Sequence, residues 1–260
     1  MTTPNVDAER AWLAEIARLS HVAANDAEVA YLIDCLGQPH KAVQRQAARA
    51  LAQAAVRGVA VAAALQRALG DAAAARRWGA AYALSLIGPP PAAVLPTLLD
   101  VLGSADGDLR WAAADILKRL GATATSDLLR LAAHGNAAQR KMALYCLRDL
   151  RVITTETEAA VRAALLDTAP GVRLAALAAL PHLGRERHAA AGWILPLADD
   201  ADPGVRRAAI IAFGILGLRT SEIEAVVRGA AQSVTDPGLR RAAERAMKML
   251  GIVQGPESKV

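Results

Sequence analysis

Aromatic residues are scarce in this chain of 260 residues, which has four Trp, three Tyr and one Phe. A core built on large rings is therefore excluded, and the position of each ring carries information. Cysteine is scarcer still, with Cys35 and Cys146 alone. Two distant cysteines make no disulfide framework, and a reducing cytoplasm is the expected location. No run of about 18 uninterrupted apolar residues occurs, so no transmembrane helix is expected and no membrane partner. Met1 to Arg10 is polar and charged and lacks the apolar stretch of a secretory signal. The five histidines, His21, His40, His134, His182 and His188, are scattered without an H-E-x-x-H, so no metal site is expected. There is no phosphate-binding loop and no G-x-S-x-G elbow. Cys146 has no local partner for nucleophilic chemistry, and no cofactor is expected. The net charge of +5 is mild for a nucleic-acid binder, so where the charge sits matters more than its sum.

What is present is alanine and a repeated phrase. Alanine, the best helix former, makes up much of the apolar fraction. The phrase reads V-R-x-x-A-x-x-A-L-x-x-L-G. It is clearest from Leu109 to Gly121, Val172 to Gly184, Val205 to Gly217 and Leu239 to Gly251, and weaker from Val43, Arg76 and Gln139. Its second position falls at 44, 77, 110, 140, 173, 206 and 240, so one step of 30 interrupts steps of 33 and 34. A period in this range marks stacked supersecondary units. The expectation is an all-α chain, an α-solenoid of about seven helix pairs over residues 25–251. An N-terminal capping helix lies within 1–24, with Trp12, Leu13, Ile16 and Leu19 on one side, and a short tail occupies 252–260.

Each unit reads as helix, turn, second helix and glycine. Asp202 is an N-cap, Pro203 fits the first helical position, and Gly217 suits a helix end that needs positive φ. The cap recurs at Asp236, Asp106 and Asn136. Val205, Ala208, Ala209, Ala212, Phe213 and Leu216 share one arc and form the expected core. The phrase arginine, four residues after the cap, sits at the edge of that arc and reads as a tie between repeats.

The phrase Val172-Arg173…Ala176…Ala179-Leu180…Leu183-Gly184 resembles HEAT repeats, in particular the HEAT-like subclass known from phycobilisome lyases. The Asp202-Pro203-Gly204-Val205-Arg206 turn and the first-helix prolines Pro96 and Pro196 resemble them too. Departures are Gln44 in place of arginine, the short fourth repeat ending at Arg151 in place of glycine, and Pro89-Pro90-Pro91 between the second and third repeats. The family includes scaffolds, lyase subunits and enzymes. In such stacks the resemblance implies that the second helices line a concave face. Its outward positions would be the equivalents of Arg207, Ile211 and Gly214.

Laid on those positions, the charge separates. The strip holds Arg45, Arg49, Lys118, Lys141, Arg148, Arg207, Arg241, Arg245 and Lys248 against one acid, Asp115. Its net charge is +8, which leaves −3 for the rest of the chain. Four of the eight aromatics, Trp78, Tyr82, Trp111 and Tyr145, fall there as well. Trp78 and Trp111 hold the same position one repeat apart, which suggests one pocket between the indoles with Tyr82 and Tyr145. Basic groups and rings together suit an anionic partner with planar or apolar parts. The expected function is a non-enzymatic scaffold or adaptor whose groove holds an acidic protein or peptide segment, with the oligomeric state left open. Two alternatives come from resemblance. Trp111, Asp115 and Arg148 resemble the tryptophan–aspartate–arginine arrangement of HEAT-like alkylpurine DNA glycosylases, which implies nucleic acid as partner and Asp115 as the catalytic group. A pigment-lyase-like subunit is the other, although the strip has no cysteine or histidine to hold a tetrapyrrole. The di-iron hydroxylases of the HEAT family use His-Glu pairs, and no histidine here precedes a glutamate. The bland reading of Asp115 is an exposed carboxylate paired with Lys118 or Arg148.

Overall fold

Alanine-rich apolar stripes at helical spacing, punctuated by caps and glycines, leave each helix one face to bury, and successive helix pairs bury those faces on one another. A computed structural model describes residues 6–21, 25–183 and 187–253, with backbone alone at 183, 187 and 188. The expected helix end at Gly184 and the tail from 254 lie outside the described residues. The described residues are all-α, without strands, and of the α-solenoid class. The chain divides into two compact units, 1–124 and 125–260. The boundary falls where the repeat spacing drops from 33 to 30.

In the first unit α1 spans Val6–Leu19, α2 Asp26–Cys35, α3 Lys41–Val56, α4 Ala62–Ala68, α5 Ala74–Ile87, α6 Leu95–Val101 and α7 Gly107–Leu120. The amphipathic α1 buries Ile16 and Leu19 and packs on α3, and Trp12 lies against the His40 ring at 5.7 Å. The second helices are α3, α5 and α7. α3 packs along α5, whereas α5 and α7 barely touch. Gly79 permits close approach on α5, because a Cβ there would lie 2.7 Å from that of Leu36.

In the second unit α8 spans Thr125–His134, α9 Ala137–Leu150, α10 Thr155–Ala164, α11 Pro170–Leu183, α12 Arg187–Ile194, α13 Pro203–Leu216, α14 Ser221–Ala231 and α15 Pro237–Leu250. Here α9, α11, α13 and α15 pack each on the next. The caps form as the residue types dictate. Asp202 Oδ1 accepts from the Val205 N–H at 3.0 Å, and Asn136 and Gln139 make a reciprocal capping box. Gly217 ends α13 at φ 66, while Arg151 ends α9 at φ 52, a left-handed conformation that L side chains resist. Of the expected core, Val205, Ala209, Ala212, Phe213 and Leu216 are buried and Ala208 is half-buried.

Most phrase arginines act as ties. Each of Arg77, Arg110, Arg140, Arg173 and Arg206 donates from Nη1 to a carbonyl of the turn before its own helix. In the second unit the same guanidinium also reaches the next turn. Arg140 pairs in a bidentate way with Asp167 at 2.7 Å, and Arg173 with Asp200 at 2.6 and 2.8 Å. Paired N–H donors on one carboxylate are the strong form of this contact. The aspartates also accept from the Ala169 and Asp202 N–H groups, which fixes the turn.

Candidate functional site

An open place among second helices lies in the first unit. A slot of about 200 Å³ runs between α3, α5 and α7. α3 supplies one wall with Lys41, Gln44, Arg45 and Arg49, α5 the floor with Trp78, Gly79 and Tyr82, and α7 the far wall with Leu109 and Ala112. One wall is thus cationic, the floor aromatic and the other wall apolar. Four of the residues expected in a groove, Arg45, Arg49, Trp78 and Tyr82, meet here. Lys41 and Gln44 escaped the sequence reading because they precede the strip. The available signal was helical spacing, since Lys41, Arg45 and Arg49 lie four residues apart on one face.

Trp78 and Tyr82 stack at 5.8 Å with planes 23° apart. Trp78 is only 7% exposed, which corrects its expected outward position. Trp78, with Gln44 and Leu109, lines both the slot and a second cavity of about 310 Å³ bounded by α5, α6 and α7. Ser85, expected outward, is also buried, and its hydroxyl donates to the Tyr82 carbonyl at 2.7 Å. Trp111 holds the equivalent position on α7, the last second helix of this unit, and is 52% exposed. It does not line the slot, so the two indoles do not flank one pocket.

With little packing between α5 and α7, clasps hold the slot at its ends. At one end Arg119 donates to the Ser85 and Gly88 carbonyls at 2.7 and 2.8 Å. At the other, Lys41 pairs with Asp106, the N-cap of α7. The Lys41 hydrogen bond holds the Asp106 carboxyl below its ordinary range, with the Leu109 and Asp108 N–H groups helping against partial burial. Arg45 and Arg49 are exposed and make no ion pair among the described residues. A cleft wall of one sign beside low-dielectric surface concentrates its field on whatever enters.

The remaining expected residues lie apart from the slot. Tyr145 belongs to the second unit, with the Arg148 guanidinium 5.0 Å from its ring centroid. Arg148 also pairs with Asp149 at 2.8 Å. Lys141 is half-buried on α9. Arg207 pairs with Asp236 at 3.4 Å. Gly214, expected outward, is buried instead, because a Cβ there would meet Met249 Sδ at 2.8 Å. The position faces the neighbouring repeat. One repeat later, the counterparts of Ile210 and Gly214 are Glu244 and Lys248. With Arg241 and Arg245 they form an exposed polar face on α15.

Lys118 and Asp115 are exposed on α7. No hydrogen bond or ion pair to the Asp115 carboxylate forms among the described residues of its unit, so the expected pairing with Lys118 is not made. Asp115 does not line the slot. The buried Cys146 has its thiol pushed up to about 12, chiefly by burial, and Cys35 is raised for the same reason. Neither suits nucleophilic work. No cluster of three or more metal-ligating side chains occurs among the described residues, and no described helix is long and apolar enough to cross a membrane.

A family profile described as HEAT repeats matches residues 29–118, a stretch within the first unit. No curated protein matches the chain. Among solved structures, the chain is similar to YibA of Escherichia coli at 15% identity, over 96% of this chain and 98% of that one, with a TM-score of 0.53. It is also similar to an engineered protein at 18% identity, over 91% and 73% of the two chains, with a TM-score of 0.46. Human deoxyhypusine hydroxylase aligns at 17% identity, over 96% and 92%, with a TM-score of 0.40. Residues 29–118 thus carry HEAT repeats, and helix pairs recur through both units.

Proposed function

We propose that the protein is a non-enzymatic binding module and that the first-unit slot holds an acidic segment of a protein partner. The observation that carries this reading is the slot's lining, with three cations of α3 beside a stacked Trp78–Tyr82 floor and the apolar Leu109–Ala112 wall. Arginine and buried aromatics dominate such interfaces. The volume, about 200 Å³, is below the roughly 300–1,000 Å³ of small-molecule and cofactor sites and suits a few side chains of a longer segment. No cysteine or histidine lines the slot, so nothing there supports a pigment-lyase role.

Fluorescence anisotropy of a labelled amphipathic peptide with regularly spaced glutamates tests the reading, with a lysine-substituted peptide as control. Arg45→Glu/Arg49→Glu is expected to weaken binding by at least about tenfold, since each 1.4 kcal/mol of lost attraction is a factor of ten. Both arginines are exposed, so the fold is expected to survive, and thermal unfolding checks that. Equal affinity for the lysine peptide, or indifference to the charge reversal, would sink the proposal. Duplex DNA binding more tightly than the peptide, with a steep salt dependence, would move the assignment to nucleic acid.

A further inference from the structure

One cation of the slot's wall already holds a carboxylate, that of Asp106. Of the three cations on α3, Arg45 and Arg49 face the slot without an ion pair among the described residues, while Lys41 is engaged by Asp106 across the slot's end. We infer that Asp106 is an internal competitor for the slot, holding Lys41 in place of a partner carboxylate, and that an acidic segment binds by displacing it. This rests on the reading of the slot as an acidic-segment site.

The division of labour between the two Asp106 oxygens carries the inference. Oδ1 accepts from the Asp108 and Leu109 N–H groups at 3.0 and 3.4 Å and so caps α7. Oδ2 is left for Lys41. Capping alone does not require the second oxygen, because Asn136 caps α9 with an amide. Nor does packing require the tie, because Lys41 and Asp106 are 49% and 25% exposed at the side chain. An exposed pair of this kind is worth at most about 1 kcal/mol, so it is a contact that a ligand can replace. Lys41, Arg45 and Arg49 are spaced by single helical turns, about 6 Å. The segment that replaces Asp106 therefore carries carboxylates at turn spacing along one edge, with apolar side chains turned to Leu109 and Ala112.

Asp106→Asn separates the two roles, since asparagine keeps the cap and loses the lysine partner. The probe is a labelled peptide with glutamates at i, i+4 and i+8, followed by anisotropy at low and high salt. Asp106→Asn is expected to bind about two- to fivefold tighter than the unaltered protein. Lys41→Met is expected to bind more weakly, and Lys41→Met/Asp106→Asn no more tightly than Lys41→Met. Unchanged or weaker binding by Asp106→Asn, while Arg45→Glu/Arg49→Glu still abolishes binding, overturns the competitor and leaves the slot. The same gain in the presence and absence of Lys41 also overturns it, because the effect would then be a general loss of negative charge. Failure of every variant and of the unaltered protein to bind removes the slot reading and the competitor together.

Discussion

In the second unit Arg140 and Arg173 each grip an aspartate of the following turn, and the second helices lie against one another throughout. In the first unit Arg77 and Arg110 reach only the carbonyls of the turn before them. The position 27 residues after the phrase arginine decides which. It holds Asp167 and Asp200 opposite Arg140 and Arg173 in the second unit, and Ser233 opposite Arg206. In the first it holds Ser104 opposite Arg77, while Asp71, opposite Gln44, is taken instead by Arg76 at 2.8 Å. The slot and its neighbouring cavity lie beside the stretch where the ladder is missing. At the α5/α7 interface, where the second helices pack little, clasps stand in place of a bidentate tie.

The largest expected effect comes from breaking the ladder where it is bidentate. Asp200→Ala leaves Arg173, 13% exposed at the side chain, without its partner and removes the acceptor for the Asp202 N–H. The expected cost is about 2 kcal/mol, between the ~1 of exposed pairs and the ~3–5 of fully buried ones, read by urea unfolding. The pH dependence follows from the same groups. Burial pushes the Asp200 carboxyl up, but Arg173 and the Asp202 N–H outweigh it and leave it lowered. At Asp167, Arg140 lowers the carboxyl against burial. With folded-state values below the unfolded value of about 3.9, this stabilisation is full above that pH and is lost as pH falls through the folded values. Acid unfolding is expected to be less steep in Asp167→Asn/Asp200→Asn. An unchanged acid transition would show that the ladder is not what acid breaks.

The second prediction installs the missing rung. Ser104 already plays the turn part of Asp200, with its hydroxyl accepting from the Asp106 N–H at 3.1 Å as Asp200 accepts from that of Asp202. Ser104→Asp would place a carboxylate where Arg77 lacks one. The expected gain is about 1 kcal/mol in stability, with Ser104→Asp/Arg77→Met as the control that removes it. A loss of stability, or a gain that survives without Arg77, would show that the ladder's absence here has another cause.

How much of this the sequence disclosed depends on which side of the repeat phrase a residue stands. The phrase and its spacing located the caps at Asp106, Asn136, Asp202 and Asp236, the core arc around Phe213 and the tying arginines, because those depend on helix periodicity and on groups within one turn. Asp167 and Asp200 lie outside the phrase, and their register with an arginine 27 residues earlier appears only once turns are stacked. Trp78 and Gly214 were misplaced outward for a related reason. A shared repeat position does not imply a shared environment, since Trp78 is 7% exposed and Trp111 52%. Lys41 had the spacing that ties it to Arg45 and Arg49, but its partner Asp106 lies two repeats on and cannot be read from a pattern of one.

The smallest effect lies within the well-tied unit, at the helix end where the sequence departs from glycine. Arg151 closes α9 at φ 52 and ψ 32, close to Gly217 at φ 66 and ψ 28 and Gly251 at φ 65 and ψ 29. Its N–H donates to the Leu147 and Arg148 carbonyls, so the conformation completes the helix end and the side chain is held there by the backbone. A Cβ in this region costs about 1–2 kcal/mol, and glycine gives back about 0.5–1 through the freedom of its unfolded chain. Arg151→Gly is therefore expected to stabilise the second unit by about 0.5 kcal/mol, and Gly217→Arg to destabilise it by a similar amount. Paired urea titrations resolve the two if the slopes agree. No gain, or a loss, on Arg151→Gly would mean that the exposed Arg151 side chain contributes at least as much as its backbone strain removes.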